Sequence, residues 1–417
     1  MEGSLPFVPA TAWVVPFACQ LVAIALLPLV APHWWEPNRR KFLLSLAMAT
    51  PVAALYLWHA PGALFEALHD YVSFVVLLGG LFVICGGIAL DGDLRATPGT
   101  NTLLLAAGTV LASVVGTTGA SLLLIRVLLH TNQERRHVTH TVVFFIFLVS
   151  NIGGSLSPLG DPPLYLGFLR GVPFFWTLRL LPLWLLAATL LLAVYYVWDS
   201  WAYHQESRAA LRSDATTLVP VTLRGGRNLV WLLGIIAAAA VLPAPWREGV
   251  IVALTVVSWR LTPADVRVAN RFTSGPMLEV ASIFIGLFIT MVPALALLRV
   301  HAPALGLTAP WQYFWATGGL SALLDNAPTY VAFLTVAQNT PQVAQVVGVS
   351  HDTLQAISAG AVFMGALSYI GNGPNFMVRS IAEARGVRMP TFAGYLVYSG
   401  GILLPTFALV SWLFFRG

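Results

Sequence analysis

Between two strongly apolar runs stands Ser150-Asn151-Ile152-Gly153-Gly154-Ser155-Leu156-Ser157-Pro158-Leu159-Gly160-Asp161-Pro162-Pro163, where a membrane-spanning helix should be continuous. Its three glycines remove side-chain restraint and its three prolines remove backbone donors. A carboxylate, an amide and several hydroxyls stand at what should be mid-membrane depth. A quieter copy recurs as Ser368-Tyr369-Ile370-Gly371-Asn372-Gly373-Pro374-Asn375-Phe376. Any fold for this chain must therefore hold two broken helices in a setting that tolerates exposed backbone groups.

Composition identifies that setting. Hydrophobic residues make up 58% of the 417, charged residues 9%, and there are 14 tryptophans; mean hydropathy is +0.79. Such a chain is a polytopic membrane protein. The net charge of +5 comes from arginines scattered through short loops, which read as topology signals rather than as a nucleic-acid surface. Cys19 and Cys85 lie far apart in apolar runs and indicate neither a disulfide framework nor a metal site. Met1–Ala10 lacks the basic flank of a signal peptide and holds Pro6 and Pro9, so the run after it is expected to be a retained first span.

Apolar runs predict spans near 11–30, 41–58, 70–90, 139–169, 177–198, 228–243, 247–260, 276–298, 353–383 and 391–415. Segments 101–130 and 311–338 are too long for one span and carry a polar, Gly- or Pro-containing centre, as re-entrant hairpins of two half-helices do. With the Arg39-Arg40-Lys41 loop inside, 16 of the 22 Lys and Arg fall on the cytoplasmic side, Arg271 among them, and 5 on the outer side. Arg126 stays within the first hairpin. The bias supports ten spans, two hairpins and both termini outside.

The expected fold is an all-α polytopic membrane protein in which residues 41–198 form a first repeat and 247–417 a second, each ordered span, span, hairpin, broken span, span. The two are inverted, because the first hairpin enters from the cytoplasm and the second from outside. Residues 1–40 hold a span outside the repeat, and 199–246 a cytoplasmic linker and a connecting span. Two broken spans in corresponding halves are a sequence sign of a transport site near the midplane.

Two carboxylates, Asp161 and Asp325, fall deep in the predicted spans, where each must be neutralised by a proton, a cation or a basic partner. A group that chooses between a proton and a metal ion is the minimum machinery for cation/proton exchange, and desolvation makes that choice depend on pH. The plainer alternative is helix capping: Asp161 ahead of Pro162 and Pro163, Asp325 ahead of its own arm. Asn151, Ser155, Ser157, Asn372 and Asn375 can supply neutral oxygen ligands, or merely satisfy backbone groups freed by the breaks. Thr117, Thr118, Ser121, Ser321, Asn326 and Thr329 shape the hairpin tips or touch a substrate. Arg126 is expected to snorkel to the interface, and Glu279 to be interfacial. The chain has no HExxH and no P-loop, so neither a metalloenzyme nor an ATP-driven pump is indicated.

At these residues the chain resembles the ion transporter superfamily, which groups NhaD-type sodium/proton antiporters, arsenite permeases, and citrate and dicarboxylate transporters. Asn151 through Pro163 is similar to the broken-span motif of that group, and Ser321 through Pro328 to the second hairpin of NhaD-type members. Where those members carry acidic residues at the first hairpin tip, this chain has Gly116-Thr117-Thr118. The resemblance implies a homodimer with a scaffold domain and a transport domain that moves as an elevator, and ion-handling roles for Asn151, Asp161, Ser321, Asp325 and Asn326.

Together these readings lead to an expected secondary transporter of the inner membrane that exchanges sodium or a similar monovalent cation for protons, Asp161 and Asp325 being the competing groups. The alternative is a proton- or sodium-coupled carrier of citrate or another carboxylate, with an arsenite exporter more distant. No catalytic residue and no cofactor beyond the coupling ions H+ and Na+ is expected. The partners are membrane lipid and a small ion or carboxylate, with no nucleic acid.

Overall fold

The computed structural model describes residues 7–216, 219–270 and 272–416. Pro6, with the start of the 1–40 unit, and Arg271 lie outside the described residues. The chain opens with α1 (Val15–Val30), α2 (Pro32–Trp35), α3 (Asn38–His59), α4 (Pro61–Gly86), a strand β1 (Ala89–Asp93), α5 (Pro98–Val115) and α6 (Thr117–Thr131). It continues through α7 (Thr139–Leu148), α8 (Pro162–Leu169), α9 (Leu181–His204), α10 (Arg208–Thr216) and β2 (Val219–Arg224). The remainder is α11 (Asn228–Val241), α12 (Trp246–Leu261), α13 (Ala264–Ala269), α14 (Gly275–His301), α15 (Pro310–Ser321), α16 (Asn326–Gln338), α17 (His351–Met364), α18 (Gly373–Ala384) and α19 (Phe392–Phe414). Among the described residues 8 helical segments are long and apolar enough to cross a membrane. Apart from the two-stranded ribbon the protein is an all-α, multi-pass membrane protein. Prolines set several helix starts: Pro61, Pro98, Pro162 and Pro310 stand in the first turn, where a missing N–H costs nothing.

Helices fall into two packed groups. In one, α14 lies against α3 and α4, with α1, α11 and α12 around them. In the other, α5 through α9 pack with α15 through α19. The broken segment sits at the centre of the second group: 89% of Thr139–Leu156 is buried, against 11% of Thr11–Pro28 at the periphery. Protein, rather than lipid, therefore surrounds the exposed backbone groups, as an interrupted helix requires.

Segments 101–130 and 311–338 fold as pairs of packed helices. Asn101, near the start of α5, and Asn132, just past α6, exchange two amide hydrogen bonds of 2.8 and 2.9 Å. That exchange pins the feet of the first pair together and leaves Gly116 as its tip. Gly116 reverses the chain alone at φ 84°, a conformation that favours glycine. In the second pair the Tyr313 hydroxyl donates to Thr340 Oγ1 at 3.2 Å, at the feet of α15 and α16.

Two features depart from the expected linker at 199–227. The span before β1 ends at Gly86, not at residue 90, and β1 pairs antiparallel with β2, Ala89 opposite Arg224 and Asp91 opposite Thr222. Val219–Arg224 is short and rich in β-branched residues, and it reads as polar linker until a partner strand lies beside it. The second departure is α9, which runs on to His204 and carries Asp199 into the interior, fully buried. Arg135 holds Asp199 with two hydrogen bonds of 3.1 and 2.6 Å, and His140 Nε2 lies 2.8 Å from Asp199 Oδ1. Asn101 Nδ2 reaches the same carboxylate at 3.3 Å, tying it to the hairpin foot. A carboxylate that sequence reading treats as the edge of a span is thus a neutralised knot joining α5, α7 and α9.

Removing that carboxylate leaves the Arg135 side chain, 1% exposed, with only the longer 3.9 Å approach to Glu206 as countercharge. Asp199→Ala is expected to destabilise the protein by about 3–5 kcal/mol. Asp91→Ala breaks the exposed pair with Arg224 and is expected to cost less than about 1 kcal/mol. Thermal unfolding of the detergent-solubilised variants checks the contrast; equal shifts would refute it.

Candidate functional site

Both breaks are built alike. In the first, α7 stops at Leu148, a 3-10 turn covers Ile152–Leu156, Ser157 is extended, and Asp161 stands at the N-cap of α8 with φ −147° and ψ 145°. In the second, α17 stops at Met364, a 3-10 turn covers Gly365–Leu367, Ser368 is extended, and Asn372 stands at the N-cap of α18 with φ −153° and ψ 138°. Ser157 Oγ donates to the Ser113 carbonyl and accepts from the Leu159 N–H at 3.2 Å. Ser368 Oγ donates to the Ala322 carbonyl at 2.6 Å and accepts from Ile370 N–H at 3.2 Å and Gly371 N–H at 3.1 Å. Each serine thus ties its break to a hairpin while satisfying backbone groups freed by the interruption. Gly160 is required by close approach: a Cβ there would run into the Gly154 carbonyl, and one at Gly371 would meet the Gly365 carbonyl oxygen at 2.6 Å.

At the centre lies Asp161, 2% exposed. It occupies a cap position, yet its carboxylate makes no capping hydrogen bond. Oδ1 accepts from Thr117 Oγ1 at 2.8 Å and Asn372 Nδ2 at 3.1 Å, and Oδ2 accepts from Asn326 Nδ2 at 2.5 Å. Its donors come from the first hairpin tip, the second break and the second hairpin tip. Asp325, by contrast, does cap its arm: Oδ1 accepts from the Ala327 N–H at 3.0 Å. Among the described residues Asn326 Oδ1 is buried without a hydrogen-bond partner, an acceptor left open for a donor or a cation.

Around this centre the other expected residues divide by what they touch. Asn151 Nδ2 donates to the Ile146 carbonyl at 2.8 Å and to Asn375 Oδ1 at 2.7 Å, and Asn375 Nδ2 donates to the Gly365 and Ser368 carbonyls, both at 2.9 Å. These two amides stitch one break to the other, one bond behind Asp161. Ser121 and Ser150 pair their hydroxyls at 2.9 Å. Ser155 donates to Ile152 O at 2.8 Å, Ser321 to Ala361 O at 2.7 Å and Thr329 to Asp325 O at 3.0 Å, so their donors go to the backbone. Arg126 donates to the Asn270 carbonyl, tying the first hairpin to the loop after α13. Glu279 pairs with Lys41 at 2.7 Å. Sequence reading overlooked Ser368, the counterpart of Ser157. Its signal is a shared pattern, Ser-x-x-Gly followed by Asp or Asn, at Ser157–Asp161 and Ser368–Asn372.

A cavity of about 120 Å³ opens beside this cluster. Thr117, Thr118, Asp325, Asn326 and Asn372 form its polar side, and Phe74 of α4 and Phe284 of α14, stacked with ring centroids 4.8 Å apart, stand in its apolar side. Half-helices α6, α16 and α18 begin at this polar side, so their N-terminal ends bring partial positive charge to it. Among the described residues the lining holds no Lys, Arg or His. One side of the cavity thus belongs to each helical group, which is where a solute must sit if relative motion of the groups is to carry it.

A family model described as "Putative citrate transport" matches residues 8–415. The chain belongs to this family, a citrate transporter family of the ion transporter superfamily. No curated protein matches the chain. The likeness to the superfamily therefore holds at the level of a citrate transporter family, and the protein is a secondary transporter and a multi-pass membrane protein.

Gly160→Ala forces the two backbone segments of the first break apart. It is expected to destabilise this citrate-family transporter by about 1–3 kcal/mol, whereas Gly401→Ala, with nothing within 4 Å of the added methyl, should leave the melting temperature unchanged or slightly raised. Melting curves in detergent measure both, and an unshifted Gly160→Ala would contradict the close approach.

Proposed function

We propose that this protein carries citrate or a related carboxylate across the membrane, coupled to protons or sodium. The observation that carries this reading is Asp161. It is buried among hydroxyl and amide donors from three elements, with the open acceptor Asn326 Oδ1 beside it and no basic side chain among the described residues of the adjoining cavity. A multivalent anion cannot enter a site whose fixed charges are carboxylates unless those charges are neutralised first. Protonation or cation binding at Asp161 and Asp325 supplies that neutralisation. The half-helix N-termini then face the anion, and transport becomes coupled because the unneutralised site rejects it.

In this reading residues 41–198 and 247–417 are inverted repeats, and the group holding the breaks and hairpins moves as an elevator along the wall of α4 and α14. The two breaks, with their matching serines, glycines and capping residues, support that correspondence. A homodimer in the cell inner membrane with both termini outside completes the proposal. A second reading, exchange of sodium or a similar cation for protons, is favoured by one observation: the cavity offers Asp325, with Asp161 behind it, and no base.

Purified protein in liposomes separates the two. Uptake of labelled citrate driven by an imposed proton or sodium gradient, falling in Asp161→Asn to the level of protein-free liposomes, is the expected result. Dissipation of a preset pH gradient by added sodium or lithium, without citrate uptake, would reject the carboxylate reading in favour of exchange.

A further inference from the structure

A second cavity, of about 210 Å³, lies along the same two wall helices at their opposite ends. The first is bounded by Phe74–Phe82 of α4 and Pro276–Phe284 of α14; the second by Ala63–Asp70 of α4 and Phe288–Val300 of α14. Into the second cavity come Arg299 from α14, Tyr56 from α3 and Arg170, the residue that ends α8. Because α8 has 8 residues, it spans about 12 Å, with Asp161 at its start in the site and Arg170 at its end here. The two cavities thus share a wall and a half-helix.

This second cavity has a surplus of donors. Among the described residues, neither the half-buried Arg170 nor the exposed Arg299 guanidinium has a side-chain hydrogen bond or an ion pair within 4.0 Å, although each presents five N–H groups. Tyr56, 1% exposed, has a buried hydroxyl with no hydrogen-bond partner among the described residues. Glu66 and Asp70 line the same space as countercharges of Arg170, beyond ion-pair distance from it; Glu66 is exposed, and Asp70 also faces His69 at 4.0 Å. These carboxylates balance the net charge without consuming the donors. A ligand that satisfies such a site must bring several acceptor oxygens in a compact frame, and paired guanidiniums bind carboxylates bidentately.

We propose that Arg170, Arg299 and Tyr56 form a loading site for the carboxylate substrate at the end of the wall opposite the Asp161 cavity. The inference rests on the carboxylate reading above and adds a sidedness to it. Solute approaching from the second cavity meets guanidinium and hydroxyl donors before the central site is exposed there. Among the described residues lining the Asp161 cavity there is no guanidinium. Because the donors are partly open to water, capture through them weakens with salt.

The test measures citrate KM separately in right-side-out and inside-out membrane vesicles. In Arg299→Gln the ratio of the two KM values should shift about tenfold through a rise on the face served by the second cavity, with Arg299→Lys recovering part of the loss and Tyr56→Phe moving the ratio in the same direction. The salt dependence of KM on that face should flatten in Arg299→Gln. An unchanged ratio overturns the loading site, as does a change in lipid dependence without a change in either KM, which would mark a headgroup contact. Wild-type protein that takes up no citrate fails the carboxylate reading instead. Citrate's effect on melting then decides the site: stabilisation kept in Asp161→Asn and lost in Arg299→Gln supports it, and any other pattern overturns it.

Discussion

A carboxylate in a membrane protein's interior needs donors around it, and here one carboxylate recruits them from three separate elements. Asp161 is held by Thr117, Asn326 and Asn372, so the first hairpin tip, the second hairpin tip and both breaks are fixed by a single anionic centre. The rest of the second helical group depends on this. Without the Asp161 contacts, the tips would have to satisfy their polar groups elsewhere, and the broken segments would expose backbone that only a surrounding protein can shelter. The stitching amides Asn151 and Asn375 and the two tether serines extend the same principle outward, each closing a backbone group that the interruption leaves open.

The two intramembrane aspartates are unequal. Asp325 spends its charge on its own helix, accepting from the Ala327 N–H, so its helix arm is stabilised by the negative form. Asp161 forgoes capping and links elements that are distant in sequence, including Asn372, 211 residues on. Neutralising Asp325 loosens one cap; neutralising Asp161 alters the bonds of three elements at once. A change in occupancy at Asp161 can therefore be felt across the whole group, whereas a change at Asp325 is felt mainly at the cavity it lines.

Much of this was legible in the sequence, for identifiable reasons. Dense glycine and proline inside an apolar run must interrupt any helix that forms there, so the break at 150–163 and Asp161 within it were readable, as was the hairpin turning at Gly116. Capping versus site chemistry at the two aspartates was not, because both roles use the same residue at the same position before a helix, and only the direction of the carboxylate separates them. Asp199 was missed because hydropathy ends a span at a charge, while Arg135 and His140 allow the helix to carry that charge inward. The ribbon of β1 and β2 was missed because five or six residues gain strand character only from a partner far away in the chain. Ser368 was missed because the glycines and asparagines of its segment drew the reading, although the spacing it shares with Ser157 was present in the chain.

The inequality of the aspartates also bears on what the cavity can accept. Because Asp161 is already enclosed by three donors, a solute in the adjoining space meets chiefly Asp325, the open oxygen of Asn326 and the ends of three half-helices. A bare cation finds ligands there, and a bare anion finds partial positive charge but also a fixed carboxylate. Both are accommodated at once when a proton or cation sits between the carboxylates and the anion, since each component then cancels the other's desolvation cost. In the carboxylate reading proposed above, the cavity is therefore filled by both species together, and joint occupancy is what would make the movement of one solute obligatory for the other.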